Sequence, residues 1–194
     1  EYLDDFKNSK KYYEDVYNNI GFAYIKKKKY KTAINYFNKA LDSIVLRKNF
    51  AVIISNRAYS KLKLRDTLNV KKDLFEALRI RDSLKTKTGI VASKIQISDY
   101  YKFLKDTLLS VKYAFDANKL AKEVKNGGEY LRSLKQLSEI DIKNSKKYLN
   151  QYIKFSDSLT NAERKVQNKF TRIEFETDEY IEETKRLSEQ TIII

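Results

Sequence analysis

Apolar residues recur along the first part of this chain at spacings of three and four. Tyr17, Ile20 and Tyr24 share one stripe, with Gly21 on nearly the same face, and predict a helix over about 10–27. Lys26 to Lys29 form a polar run long enough for a turn. The stripe restarts as Ala33, Phe37, Ala40 and Leu41, a second helix over about 30–46, whose alternating small and large side chains let the two pack antiparallel. A glycine in the first stripe lets the neighbouring helix come close. One such hairpin cannot bury its own apolar faces, so it needs others stacked on it.

The second-helix stripe returns in drifted form. Ala33, Phe37, Ala40 and Leu41 become Val70, Leu74, Ala77 and Leu78, then Ser110, Ala114, Ala117 and Asn118, then Ser145, Leu149 and Tyr152, at separations of 37, 40 and 35 residues. Asn118 departs from the pattern, placing an amide where leucine is expected. On the first helix Tyr24 is matched by Tyr59 and Tyr101, while the fourth copy has Asp141. Further helices are expected over about 50–63, 69–85, 88–104, 107–124 and 129–141, with an eighth starting near 144. Asn49, Ser93 or nearby polar residues, Asp106 and the pair Gly127 and Gly128 are the expected places for helices to begin or end. The chain has no Pro and four Gly, so little in it breaks a helix. Residues 1–12 fit either the tail of an earlier second helix or an N-terminal cap.

Without Cys or His the chain has no thiol nucleophile, no disulfide, no imidazole base and no zinc site of the usual kind. Asp4 and Asp5 form an acidic pair in polar helical surroundings, with no oxygen-rich loop to complete a cation site. A Gly-rich phosphate loop is also missing. No enzyme activity, cofactor or metal is expected. The formal net charge of +14 raises the question of nucleic acid or an anionic surface. The excess, however, is mostly Lys spread along helices, which reads as solvated surface. A basic nucleic-acid-binding solenoid would need those cations gathered on one concave stripe, so direct nucleic-acid binding is not expected.

The charge changes along the chain. Residues 1–159 hold 34 basic and 18 acidic side chains, whereas residues 160–194 hold 6 and 8. Within the second segment Val166, Phe170, Ile173, Thr177, Tyr180, Thr184 and Leu187 are spaced 4, 3, 4, 3, 4 and 3, a heptad seam on one helix. From Glu163 to Gln190 that helix would extend about 40 Å. It is expected to cap the last repeat and to pair modestly with a second copy as a coiled coil, Thr177 and Thr184 weakening the seam. A monomer with a protruding helix is the other reading. The chain ends in Thr191, Ile192, Ile193 and Ile194, which look like the first residues of an apolar segment. With no initial Met before Glu1, this suggests a fragment cut short before a membrane helix.

Tyr17, Ile20, Gly21, Tyr24, Ala33, Phe37 and Ala40 fall at the spacings of a tetratricopeptide repeat, and the module at 14–47 resembles that family. The resemblance implies an all-α fold, a solenoid of antiparallel helical hairpins in a right-handed superhelix, followed by the long C-terminal helix. Residues 1–159 form the solenoid, with repeats at about 14–47, 49–85, 91–124 and 129–157, and residues 160–194 the capping helix. In repeats of this type the second, fifth, ninth, twelfth and thirteenth positions of the first helix tend to face a concave groove. That maps to Asp15, Asn18, Phe22, Ile25 and Lys26, then to Phe50, Ile53, Arg57, Ser60 and Lys61, then to Ala92, Ile95, Asp99, Lys102 and Phe103. Apolar anchors beside cations suit an extended protein or peptide ligand of partly acidic character. Family members that clamp a terminal carboxylate use Lys at the fifth position and Asn at the ninth. Asn18 and Phe22 stand there, so that function is not carried over.

The stretch Tyr148 to Glu183, with "DSL" followed by "KFTRIEFETDE", resembles the region after the last repeat in regulatory proteins of Bacteroidetes. That resemblance implies a periplasmic tetratricopeptide sensor on an inner-membrane protein. A transmembrane helix and a LuxR-type helix-turn-helix or histidine-kinase output would follow beyond Ile194. The function expected is therefore a peptide-binding sensor region of a membrane-anchored signalling or transcription regulator, its signal passing through the C-terminal helix. The alternative is a freestanding, cytoplasmic tetratricopeptide adaptor.

Overall fold

The computed structural model describes residues 2–43 and 46–191. Ile192, Ile193 and Ile194, on which the reading of a truncated apolar segment rests, lie outside the described residues. The helices are α1 (Tyr2–Lys26), α2 (Tyr30–Asp42), α3 (Arg47–Lys63), α4 (Val70–Ser83), α5 (Lys87–Phe103), α6 (Thr107–Glu123), α7 (Gly127–Ile140) and α8 (Ser145–Thr191), with a 3₁₀ turn at Ile142–Asn144. The chain divides into two units, Glu1–Leu149 and Asn150–Ile194.

In the first unit each helix from α1 to α7 packs on the next, and the odd helices also touch one another, α1 on α3, α3 on α5 and α5 on α7. The odd helices thus form one layer and the even helices another. This is an all-α, tetratricopeptide-like solenoid of antiparallel hairpins. Ala33, Phe37 and Ala40 are fully buried with Ile53, and Tyr17, Tyr24, Ile25 and Leu41 pack around them. Gly21 makes the close approach possible, since a Cβ there would lie 2.6–2.9 Å from the Phe37 ring. Val70, Leu74, Ala58, Leu62, Ile97 and Tyr100 form the next cluster.

Polar departures from the repeat pattern are satisfied locally. Ser110 stands where the earlier copies have Ala33 and Val70. Its hydroxyl donates to Ser98 O at 3.0 Å, and the Ser98 hydroxyl donates to Ser110 O at 2.7 Å. Asn118 donates its amide to Ser133 Oγ at 2.9 Å, tying α6 to α7. A buried polar group is tolerated when it finds such a partner.

Five of the turns share one construction. Lys28, Arg65, Lys85, Lys105 and Lys125 each have a positive φ, between 53° and 61°. The next residue's N–H in each case reaches back five residues, as from Asp106 to Tyr101 O at 2.9 Å and from Asn126 to Ala121 O at 3.0 Å. This left-handed C-terminal cap is usually made with glycine. Asp106 and Asn126 then cap the next helix, accepting from Leu109 N at 3.0 Å and Glu129 N at 3.1 Å. Ser93, expected near a helix end, instead lies buried inside α5.

The second unit is the run of α8 from Asn150 onward. An eighth helix is expected from near 144, and α8 runs unbroken from Ser145 to Thr191, because no Gly or Pro interrupts it. Of the seam residues, Val166, Phe170, Ile173 and Tyr180 are exposed. The Thr177 hydroxyl donates to Ile173 O at 2.7 Å and that of Thr184 to Tyr180 O. The Leu187 side chain lies outside the described residues. Exposed Phe175 falls on the opposite face, two residues or about 200° beyond Ile173. The apolar residues therefore do not make the one narrow stripe a coiled coil needs, which corrects that expectation.

Candidate functional site

The layer of odd helices bounds a cleft of about 680 Å³. Its walls are Asn18, Asn19, Phe22, Ile25 and Lys26 of α1, Val52, Asn56 and Tyr59 of α3, Ala92 and Gln96 of α5, and Glu129 and Arg132 of α7, with Arg81 of α4 beneath. On α1 and α3 the lining residues recur at four and three, one side of each helix. The Asn56 amide donates to Asn18 Oδ1 at 3.3 Å and joins the two walls. A cleft of this volume is of ordinary size for a ligand site.

The groove positions nominated from the sequence are distributed unevenly. Asn18, Phe22, Ile25, Lys26 and Ala92 line the cleft. Asp15, a turn before Asn18, accepts from the Asn49 amide at 3.0 Å. Phe50 is half-buried against Ala51, Ile54, Ala77 and Ile80. Ile53 is buried with Phe37, and Ile95 with Val91, Ala117 and Ala121. Arg57 pairs with Asp73 at 2.9 Å and donates to Asn38 Oδ1 at 3.2 Å. The buried Ser60 hydroxyl turns back to Asn56 O at 2.9 Å, and Lys61 donates to Leu68 O at 3.2 Å. Asp99, Lys102 and Phe103 line a second depression of about 460 Å³ with Leu62, Lys63, Arg65 and Glu139. Lys102 pairs there with Glu139 at 2.6 Å, and Asp99 accepts from Gln136 Nε2 at 2.7 Å. Burial raises the Asp99 carboxyl, against the pull of Arg132, Lys63, Lys102 and the Gln136 hydrogen bond.

In α3 the lining residues Val52, Asn56 and Tyr59 each precede Ile53, Arg57 and Ser60 by one position. A one-residue step rotates a helix by about 100° and carries a nominated side chain off the face. The buried stripe Ala51, Ile54, Ala58 and Leu62 is the signal that locates the face correctly.

Arg81 lines the cleft from an even helix, which the groove positions of the first helices do not reach. It is 7% exposed, and its guanidinium bridges the odd helices, donating to Ser93 Oγ of α5 at 2.7 Å and to Ser55 Oγ of α3 at 3.0 Å. Burial lowers its pKa to about 10, with Glu129 opposing from a distance. Gly89 leaves room for its stem, because a Cβ there would meet Arg81 Cδ at 3.0 Å. Glu129 Oε2 is buried without a hydrogen bond and lies 3.7 Å from Arg132. Among the described residues no group of three or more His, Cys, Asp or Glu could hold a metal ion.

A family model of the tetratricopeptide repeat matches residues 14–42, the paired segments of α1 and α2. No curated protein matches the chain. Residues 14–42 match a repeat that builds helical scaffolds, and the helical hairpins of the first unit are of that kind. The match also corrects the larger identification. It is confined to one repeat and carries nothing of a Bacteroidetes regulator or a transcriptional output. Among the described residues no helix is long and apolar enough to cross a membrane. The expectations of a membrane-anchored sensor, a membrane partner, a dimerising C-terminal helix and a periplasmic place on an inner-membrane protein are withdrawn with it.

Proposed function

We propose that this protein is a scaffold that holds an extended peptide segment of a partner protein in the cleft between the odd helices. The observation that carries this reading is the composition of the walls. Phe22, Ile25, Val52 and Tyr59 supply apolar contact, while Asn18, Asn19, Asn56 and Gln96 supply amides at successive turns of neighbouring helices. An extended chain presents alternating side chains and unpaired backbone groups, and amides beside aromatic surface can serve both. Of the nominated groove positions, Asn18, Phe22, Ile25, Lys26 and Ala92 belong to this surface.

The test is an array of randomised short peptides probed with the full chain. Retention on a reproducible subset is expected, and Phe22→Ala or Tyr59→Ala should weaken it about tenfold or more, as loss of an aromatic anchor does. Both variants should keep the parent's melting curve, because Phe22 is 45% exposed and Tyr59 is not among the fully buried residues. No retention, or retention indifferent to both substitutions, overturns the reading.

A further inference from the structure

Arg81 stands on α4, outside the layer of odd helices that supplies the rest of the lining, yet it lines the cleft. Burying a guanidinium is costly unless a counter-charge goes with it. Here its two hydrogen bonds end on the neutral hydroxyls of Ser55 and Ser93, out of the five donors that arginine carries. Glu129 acts on it only through space, and that carboxylate lies nearer Arg132, at 3.7 Å. Small residues on two helices, Ser55, Ser93 and Gly89, keep open the niche that the long side chain fills.

One turn beyond Ser93 on the same side of α5 stands Gln96, 8% exposed. Its Oε1 is buried with no hydrogen-bond partner, an arrangement that native interiors rarely leave unanswered. A cation held by neutral groups and an unused acceptor therefore share one cleft. Their counterpart is a residue that offers a carboxylate and an N–H.

We propose that Arg81 and Gln96 form a receptor for one acidic residue of the bound peptide. The guanidinium takes the carboxylate through a charge-assisted pair, and Gln96 Oε1 accepts the backbone N–H. Lys26, Arg81 and Arg132 against Glu129 leave the lining with an excess of positive charge, which favours such a ligand. The proposal rests on the peptide reading of the cleft and adds its chemical preference.

The experiment uses the full chain on three peptide pools. One has Glu fixed at a central position with both ends capped, one has Gln there with both ends capped, and one has Gln there with a free C-terminal carboxyl. Retention on the Glu pool should exceed that on the capped Gln pool about tenfold, the scale of one charge-assisted pair. Arg81→Met, which fills the niche without charge, should level the two pools and leave the Gln signal standing. Glu129→Gln removes the competing carboxylate and should raise Glu-pool retention several-fold. The free-carboxyl pool assigns the source: retention there above the Glu pool means that a chain terminus supplies the carboxylate, while retention at the capped-Gln level means that a side chain does. Equal retention on all three pools overturns the receptor and leaves the peptide reading intact. So does a Glu preference that survives Arg81→Met. No retention on any pool overturns both.

Discussion

Gly21 and Gly89 use the same device for different ends. Each lies on an odd helix and replaces a side chain that would collide with a residue of the adjoining even helix. At Gly21 the neighbour is Phe37, whose ring atoms would lie 2.6–2.9 Å from an added Cβ. At Gly89 it is the stem of Arg81, at 3.0–3.4 Å. Phe37 is a rigid ring sealed in a closed core with Ala33, Ala40 and Ile53, whereas Arg81 is a flexible chain whose charged end lines the cleft. The space at Gly21 therefore holds the first hairpin together, while the space at Gly89 positions a cation. In a chain with so few glycines, two of the four are thus used for room and not for backbone freedom.

The comparison breaks most visibly at Gly21. Alanine ordinarily stabilises a helix interior relative to glycine by up to about 1 kcal/mol. Here the ring cannot retreat, and overpacking a filled core costs about 1–3 kcal/mol. Gly21→Ala should therefore destabilise the first hairpin, by about 2 kcal/mol at the upper end of the net balance. Urea unfolding measures it, and a variant as stable as the parent would mean that the Phe37 ring has space to move.

How much of this was readable beforehand depends on which helix carries the residue. On α1 and α2 the three-and-four spacing of Tyr17, Tyr24, Ala33, Phe37 and Ala40 gave both the helices and the buried face, because side chains that pack must repeat with the helix. The groove positions were implied instead by the resemblance to a tetratricopeptide repeat, and of its five on α1 Asn18, Phe22, Ile25 and Lys26 line the cleft while Asp15 does not. On α3 the repeat positions Ile53, Arg57 and Ser60 each follow a lining residue by one, since they were carried across turns of unequal length and not read from the helix's own buried stripe. Arg81 was not readable at all. A charged residue on an even helix looks like solvated surface, and its burial depends on Ser55, Ser93 and Gly89 arriving from helices distant in sequence. The identification as a membrane regulator failed for a different reason: it rested on a short stretch of α8, where exposed helical surface constrains few residue choices.

The turns sharpen the same comparison with a smaller effect. If glycine in this chain makes room and not bends, then the bends are made by residues that strain to adopt them. Lys105 holds φ 61°, a left-handed conformation that an L side chain enters at a cost of about 1–2 kcal/mol. Glycine enters it freely but loses more entropy on folding. Lys105→Gly should stabilise the chain by about 0.5–1 kcal/mol, keeping the Asp106 to Tyr101 bond and the cap on Leu109. Chemical unfolding would show a raised midpoint at unchanged slope. A lowered midpoint would mean that the lysine side chain contributes more to that turn than its backbone strain takes away.

Gly89→Ala should change stability least and is therefore the most discriminating variant. The gain in helix propensity, up to about 1 kcal/mol, opposes a contact that a few tenths of an ångström of movement in the Arg81 stem can relieve. The melting curve should stay within about 1 kcal/mol of the parent's. The guanidinium, however, is fixed by bonds of 2.7 and 3.0 Å to two hydroxyls, so a displaced stem must lengthen one of them or swing the charge away from the cleft. Stability and recognition should then separate: the variant folds as well as the parent but loses part of its preference for acidic peptides. At Gly21 the two cannot separate, because the residue that loses space is the one that closes the core. If Gly89→Ala unfolds the chain as readily as Gly21→Ala does, the niche around Arg81 is core like any other, and the contrast between the two glycines disappears.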